Sequence, residues 1–401
     1  MISRESYIER IRPFIGTELI KVLTGLRRSG KSVMLQLIQK ELLARSVPEA
    51  NIISFNFESL ANQKYCTATS LYAELQKRIS KLSGKVYLFF DEIQEIKDWE
   101  KCVNSCRVDF DCDITITGSN AKLLSGELAT YLAGRYVEFV IYPFSFSEFI
   151  LAFKEGKNSS EAFKDYLSYG GMPFLNHLQG DKSSFQLYLR DVYNSVVLKD
   201  IVKRNNIRDV DLLERIISYM MANIGHPFSA TSLSKYFKNE YRKVAPETIL
   251  NYIQYACDAH LFTALKREDI SGKKILTINE KYYVADHGLR EAIYGHNMEN
   301  IDQVLENIVC MELLRRGFEV TVGHTYQSEI DFIAKKNEKV RYFQVCYLLA
   351  DPKTIEREFG AFRTVKDQYP KYVLSLDEFK MSRDGIQHYN IRDFLLNDEW
   401  E

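Results

Sequence analysis

Gly25-Leu26-Arg27-Arg28-Ser29-Gly30-Lys31-Ser32 is a complete G-x-x-x-x-G-K-[ST] phosphate loop, and no other string in the chain restricts its fold as tightly. It sits between an apolar run, Leu19 to Thr24, that suits a buried strand, and Val33 to Ile38, which continues as a helix. Gly25 and Gly30 permit backbone angles that a side chain resists, so successive N–H groups can turn inward around phosphate oxygens. Lys31 would reach the β- and γ-phosphates, and the Ser32 hydroxyl would ligate Mg2+. The helix opening at Lys31 sets its positive dipole end under the same phosphates. The residues expected on the nucleotide are Gly25, Arg28, Ser29, Gly30, Lys31, Ser32 and Val33. Of Arg27 and Arg28, one faces phosphate and the other packs against the acidic turn described next or is solvated. No N-K-x-D string is present to read guanine, so ATP is the expected nucleotide.

Val86-Tyr87-Leu88-Phe89-Phe90 ends in Asp91-Glu92. A run apolar on both faces reads as a central strand of a parallel sheet, and ligands gather at the carboxyl ends of such strands. Asp91 is the expected Mg2+ residue, and Glu92 the one that orients the attacking water. A third strand, Asp113 to Thr117, ends in Gly118-Ser119-Asn120. Either Ser119 or Asn120 is placed to meet the γ-phosphate or the water, and both also suit a turn and helix cap. Arg135 is a candidate arginine finger or sensor, with a plain surface arginine as the competing reading.

Net charge is −1 over 401 residues, so any contact with nucleic acid must come from a local patch. The first dozen residues are charged and resemble no signal peptide, and no apolar stretch is long and uncharged enough to cross a membrane. The seven cysteines show no disulfide or zinc spacing, which suits reduced thiols in the cytoplasm.

The alternation of strands and helices predicts an α/β core over 1–155, closed by Phe144 to Phe149, and then a helical lid or linker over 156–225. Within it, Tyr169-Gly170-Gly171-Met172-Pro173 reads as a hinge. Residues 226–300 resemble a winged helix-turn-helix, with helices at 232–237 and 245–259 and a wing over 261–278. From 226 to 275 eight basic residues (Lys235, Lys238, Arg242, Lys243, Lys266, Arg267, Lys273, Lys274) face five acids. That small excess could meet DNA phosphates, with Thr248 and Asn251 near base edges, or the module could pack on protein instead. In 301–401 a helix carries Glu306, a strand carries Asp331, and a following strand carries Gln344 and Cys346. This is the layout of restriction-type PD-(D/E)XK nucleases, with Gln in place of the usual Glu and Cys in place of the usual Lys. A neutral thiol supplies no fixed positive charge, so the expectation is a nuclease-like α+β fold kept for binding or assembly.

Taken together, Leu23 to Ser32, Phe90-Asp91-Glu92-Ile93-Gln94, Thr117-Gly118-Ser119-Asn120-Ala121, Gly134-Arg135, Tyr169 to Pro173, Leu305-Glu306-Asn307, Glu329-Ile330-Asp331-Phe332 and Pro370 to Leu374 resemble one prokaryotic family. Its members are AAA-type ATP-binding proteins with a C-terminal domain of unknown function and degenerate nuclease-like fold. They are similar to the signal-transducing and archaeal-type ATPases. The resemblance implies ATP and Mg2+ held by Lys31, Ser32 and Asp91, with Glu92 hydrolytic. The expected activity is a Mg2+-dependent ATPase switch. The alternatives are a DNA- or protein-binding regulator with weak turnover and, as a minor reading, a metal-dependent nuclease. Expected partners besides ATP are duplex DNA, a second copy, or another protein; no membrane is expected.

Overall fold

Strand β1, Ile20–Thr24, is buried at every position, as a strand covered on both faces must be. In the computed structural model, residues 2–121, 134–153, 158–178, 181–270, 272, 274–295, 300–325, 328–398 and 400–401 are described. The chain divides into two compact units: Met1–Tyr142 with Asp258–His260, and Pro143–Cys257 with Leu261–Glu401.

In the first unit, helix α1 (Glu5–Ile11) precedes β1 and helix α2 (Lys31–Ala44) follows it. Strand β2 (Ile52–Asn56), helix α3 (Ala68–Ile79), strand β3 (Val86–Asp91), helix α4 (Trp99–Asp109), β4 (Cys112–Thr117) and β5 (Tyr136–Val140) complete it. The five strands run parallel in the order β2-β3-β4-β1-β5. Alternate residues reach opposite faces. Ile20, Val22, Leu88 and Phe90 pack toward α3 and α4, in a core that holds Leu71, Leu75, Trp99 and Cys106. Leu23 and Phe89 pack on the other face with Met34, Leu35 and Ile38 of α2. Each such large apolar side chain contributes about 1.5–3 kcal/mol by leaving water. A buried ion pair, Lys21 Nζ to Asp113 Oδ1 at 2.6 Å, joins β1 to β4.

The second unit opens with helix α5 (Phe146–Ala152), capped reciprocally by Ser145 and Glu148. Helices α6 (Ser159–Tyr169), α7 (Lys182–Ser195, continuing as a π-helical stretch over Val196–Lys203) and α8 (Val210–Ala222) follow. Then come α9 (Ala230–Asn239), α10 (Pro246–Asp258), and the antiparallel pair β6 (Phe262–Asp269) and β7 (Lys274–Val284). Helices α11 (His287–Tyr294) and α12 (Ile301–Arg315) lead to β8 (Glu319–His324), β9 (Glu329–Lys336) and β10 (Lys339–Val345). Helix α13 (Pro352–Gly360), β11 (Lys371–Ser375), β12 (Gln387–Asn390) and α14 (Ile391–Leu396) end the chain.

Strands β6 and β7 pair antiparallel over the stretch expected to form a wing, but they run on to Val284 and form no free hairpin. Strand β6 pairs in parallel with β8, so the pair belongs to a seven-stranded sheet ordered β12-β11-β10-β9-β8-β6-β7.

Gly170 and Gly171 correct another expectation: they form a packed joint, not a hinge. A Cβ on Gly171 would lie 2.2 Å from Phe144 O, and one on Gly170 would lie 2.0 Å from Asp286 Oδ1. Asp286 accepts from Gly171 N (2.7 Å) and Gly288 N (2.9 Å). Burial nevertheless pushes its carboxyl up to about 6.

Candidate functional site

The phosphate loop leaves β1 and turns into α2 through Gly30, which caps the helix at φ 102°. Gly25 is required by crowding as much as by its φ of +136°, because a Cβ there would sit 2.3 Å from Ile141 O. Arg28 also takes a left-handed backbone, φ 63°, and its side chain is exposed. Arg27 pairs with Glu58 at 3.2 Å. Lys31 is 5% exposed, and its ammonium donates to the loop carbonyls of Gly25 (3.0 Å) and Leu26 (3.1 Å). The lysine thus lies within the concave loop, over the place where phosphate oxygens would compete for it. The Ser29 hydroxyl is buried without a hydrogen-bond partner among the described residues. Ser32 is exposed at the start of α2, and Val33 is half-buried behind it.

Asp91 ends β3 and is 4% exposed. Its Oδ1 accepts from the Thr117 hydroxyl at 2.6 Å and its Oδ2 from Asn56 Nδ2 at 2.9 Å. The same Thr117 oxygen accepts the backbone N–H of Glu92 at 2.9 Å. One hydroxyl at the end of β4 therefore fixes both acidic residues. Glu92 is held left-handed at φ 55°, and its carboxylate accepts from Gln94 Nε2. Ser119 and Asn120 are both buried just beyond β4, where Gly118 N donates to Leu23 O at 3.1 Å. Strand β4 lies between β1 and β3, so loop, acids and Asn120 share one end of the sheet.

Arg135 does not join them. Its carbonyl accepts from Ile20 N at 2.9 Å, which puts it at the start of β1, and its side chain is exposed. The loop follows the other end of that strand, about 15 Å away at the usual rise per residue. As a finger or sensor for its own chain's loop, Arg135 is ruled out by strand direction.

Four contributors escape motif reading. Thr117 and Asn56 hold Asp91 as described. Arg4 is buried and donates to Ser29 O (3.2 Å) and Tyr142 O (2.8 Å), tying the loop to the segment after β5. The Asp258–His260 turn packs with this unit although its flanking residues belong to the other. Burial, then the charge of Lys31, push the His260 imidazole down to about 3, and its Nε2 has no hydrogen-bond partner among the described residues. A neutral imidazole in the field of the loop lysine has no sequence signature. The nearest hint was an isolated histidine after a helix end.

The C-terminal quartet separates into three and one. Asp331 N donates to Gln344 Oε1 at 3.3 Å, and Val345 N donates to Asp331 Oδ2 at 2.8 Å. Glu306 on α12 takes Tyr283 OH at 2.6 Å and Lys281 Nζ at 3.3 Å, both from one face of β7. Cys346 lies instead in an apolar core with Ile330, Leu349 and Phe359, and burial pushes its thiol up. No group of three or more His, Cys, Asp and Glu poised for a metal occurs among the described residues.

Among the basic residues counted over 226–275, Arg242 is occupied by Asp209 at 2.6 Å, and Arg267 by Glu329 at 3.4 Å. Asn251 is exposed and Thr248 half-buried; Lys273 lies outside the described residues. Among the described residues no helix is long and apolar enough to cross a membrane.

The AAA domain family model matches residues 17–150, and the model for a domain of unknown function (DUF8612) matches 160–300. The chain thus carries an AAA-type P-loop domain of the nucleotide-binding ATPase class. The domain of unknown function spans helices α6 to α11 with the β6–β7 pair. A Methanocaldococcus jannaschii uncharacterized protein is 31% identical over 87% of this chain and 79% of its own length. The solved structure of the Aeropyrum pernix ORC2 protein overlaps 77% of this chain and 92% of its own at 10% identity, with a TM-score of 0.38. An uncharacterized protein of Haemophilus influenzae is 38% identical across 99% of both chains, and this protein belongs to the same family.

Proposed function

We propose that the chain is a Mg2+-dependent ATPase acting as a nucleotide-driven switch in the cytoplasm. The observation that carries this is the pairing of a buried Lys31, seated on the carbonyls of Gly25 and Leu26, with an Asp91 fixed by Thr117 and Asn56. The buried Ser29 hydroxyl and the loop amides suit a phosphate chain. Lys31 and the loop hold the phosphates, Ser32 and Asp91 hold the cation, and Glu92 orients the water. The cation, when bound, offsets charge on the transferring phosphoryl group. Asn120 or Ser119 supports the same end of the sheet. Arg135 serves as a finger only toward a second copy of the chain. The Asp258–His260 turn supports the switch, because it packs with the ATPase unit while its neighbours in sequence belong to the other.

The test is steady-state ATP turnover for wild type, Lys31→Ala, Glu92→Gln and Arg135→Ala, with and without duplex DNA over a salt series. Glu92→Gln should abolish turnover while retaining ATP, and Lys31→Ala should lose ATP. ATP binding that survives Lys31→Ala overturns the assignment. Arg135→Ala turnover rescued by adding a Glu92→Gln chain places the arginine in trans. The exposed lysines Lys235, Lys238, Lys243 and Lys266 support a DNA partner, and absence of binding at low salt removes it.

A further inference from the structure

The nuclease-type layout of the C-terminal region implies a divalent metal on Glu306 and Asp331, and the residues do not fit one. Lys281 reaches in from β7, its side chain 4% exposed, and bonds Glu329 Oε1 at 2.8 Å and Glu306 Oε1 at 3.3 Å. Tyr283, two residues along the same face, donates to that Glu306 oxygen. Arg267 of β6 takes the other oxygen of Glu329 at 3.4 Å and also meets His324 Nδ1 at 2.9 Å. Asp331 spends Oδ2 on the Val345 amide. Gly225 covers Glu306 closely, since a Cβ on it would stand 3.1 Å from Glu306 Oε1. Three carboxylates thus face two cations, both from the β6–β7 pair.

We propose that Lys281 is the resident cation of the Glu306–Glu329–Asp331 cluster, standing where a divalent metal would otherwise be held. The charge missing at Cys346 is present in space, delivered by a strand that lies before the nuclease-like segment in sequence. There it locks the carboxylates and anchors β7 to α12 and β9. Withdrawing the ammonium while keeping the side-chain length leaves carboxylates that only a cation or protons can offset. Glu306 and Asp331 would then take a divalent ion, with Glu329 still shared with Arg267.

The test is Mn2+ titration of the nucleotide-free full chain, read by electron paramagnetic resonance of free Mn2+ and by the thermal midpoint. The chains are wild type, Lys281→Met, Lys281→Arg, Glu306→Gln, and the double variant Lys281→Met with Glu306→Gln. All share the phosphate loop, so its background cancels. Lys281→Met should gain about one equivalent of Mn2+ and recover midpoint on binding it. Wild type and Lys281→Arg should gain none, and the double variant should lose the new site. Wild-type Mn2+ binding that Glu306→Gln removes would show that the cluster holds metal despite Lys281 and overturn the proposal. So would a Lys281→Met chain that folds without taking Mn2+, or one that stays unfolded in its presence.

Discussion

Thr117→Val is the sharpest probe of the proposed ATPase centre, because it deletes one oxygen and keeps the shape. That oxygen donates to Asp91 at 2.6 Å and accepts from Glu92 N at 2.9 Å, in a fully buried position. A hydrogen bond to a charged group contributes about 1.5–3 kcal/mol, and an orphaned buried N–H costs about 1–3 kcal/mol. Part of this loss is recovered by relaxation, so the expected fall in stability is about 2–4 kcal/mol. The effect on chemistry follows from Glu92. Its left-handed backbone costs about 1–2 kcal/mol, and Thr117 is the contact that holds the Glu92 amide there. Releasing it lets the carboxylate leave its proposed water-orienting place, and a positioning loss of about 1.5–3 kcal/mol lowers kcat about 10- to 100-fold. Lys31 and the loop amides are untouched, so ATP affinity should change little. The assay pairs steady-state turnover with binding of a fluorescent ATP analogue, and Thr117→Ser, which keeps the hydroxyl, should restore most of kcat. A folded Thr117→Val chain with wild-type kcat would refute the reasoning. Equal losses of kcat and affinity would assign Thr117 to packing alone.

Asp113→Ala should strand the Lys21 ammonium between β1 and β4 and cost about 3–5 kcal/mol in urea unfolding, with Lys21→Met/Asp113→Leu costing far less; a loss below about 1 kcal/mol would mean the pair is solvated. Gly171→Ala should lower the thermal midpoint well beyond Gly16→Ala. Gly16 carries only the left-handed penalty of about 1–2 kcal/mol and has open space for a Cβ, whereas Gly171 meets Phe144 O; equal shifts would restore the hinge reading. Stability should also fall with acid. His260 and His287, lowered by burial to about 3 and about 4, stay neutral when folded, so the unfolded chain takes up protons first as pH drops below about 6.5. Asp286, raised to about 6, opposes this between pH 6 and 4, as do Glu138, Asp331 and Glu358, raised by burial, whereas His388, lowered by burial, and Asp209 and Asp211, held down by Arg242, add to the fall. Unfolding midpoints at pH 7, 5.5 and 4.5 should decline less steeply in His287→Gln than in wild type; identical profiles would mean that the His287 imidazole is solvated.

The parts of this molecule that could be read from the chain are those whose cause is local. Strands β1, β3 and β4 announce themselves because both faces are buried, and the phosphate loop does so because glycines, lysine and serine must be contiguous to ring a phosphate. The AAA resemblance rests on that string together with others as local as itself, Phe90 to Gln94 and Thr117 to Ala121. The remaining features are set by pairings between distant segments. Arg135 directly precedes β5, yet only the parallel register of β5 with β1, Tyr136 against Ile20, decides that it lies at the end away from the loop. The Gly170-Gly171 pair carries the composition of a hinge and is instead a joint, because Asp286, more than a hundred residues later, occupies the space that a Cβ would need. Cys346 makes the same point in charge. The string E-x-K is broken there, and reading the string alone leaves an acidic cluster with no counter-ion. The parallel pairing of β6 with β8 is what carries Lys281 to Glu306 and Glu329. A motif states which charges a site needs, and the sheet order states which residue meets the need; here those two answers lie 65 residues apart in the chain.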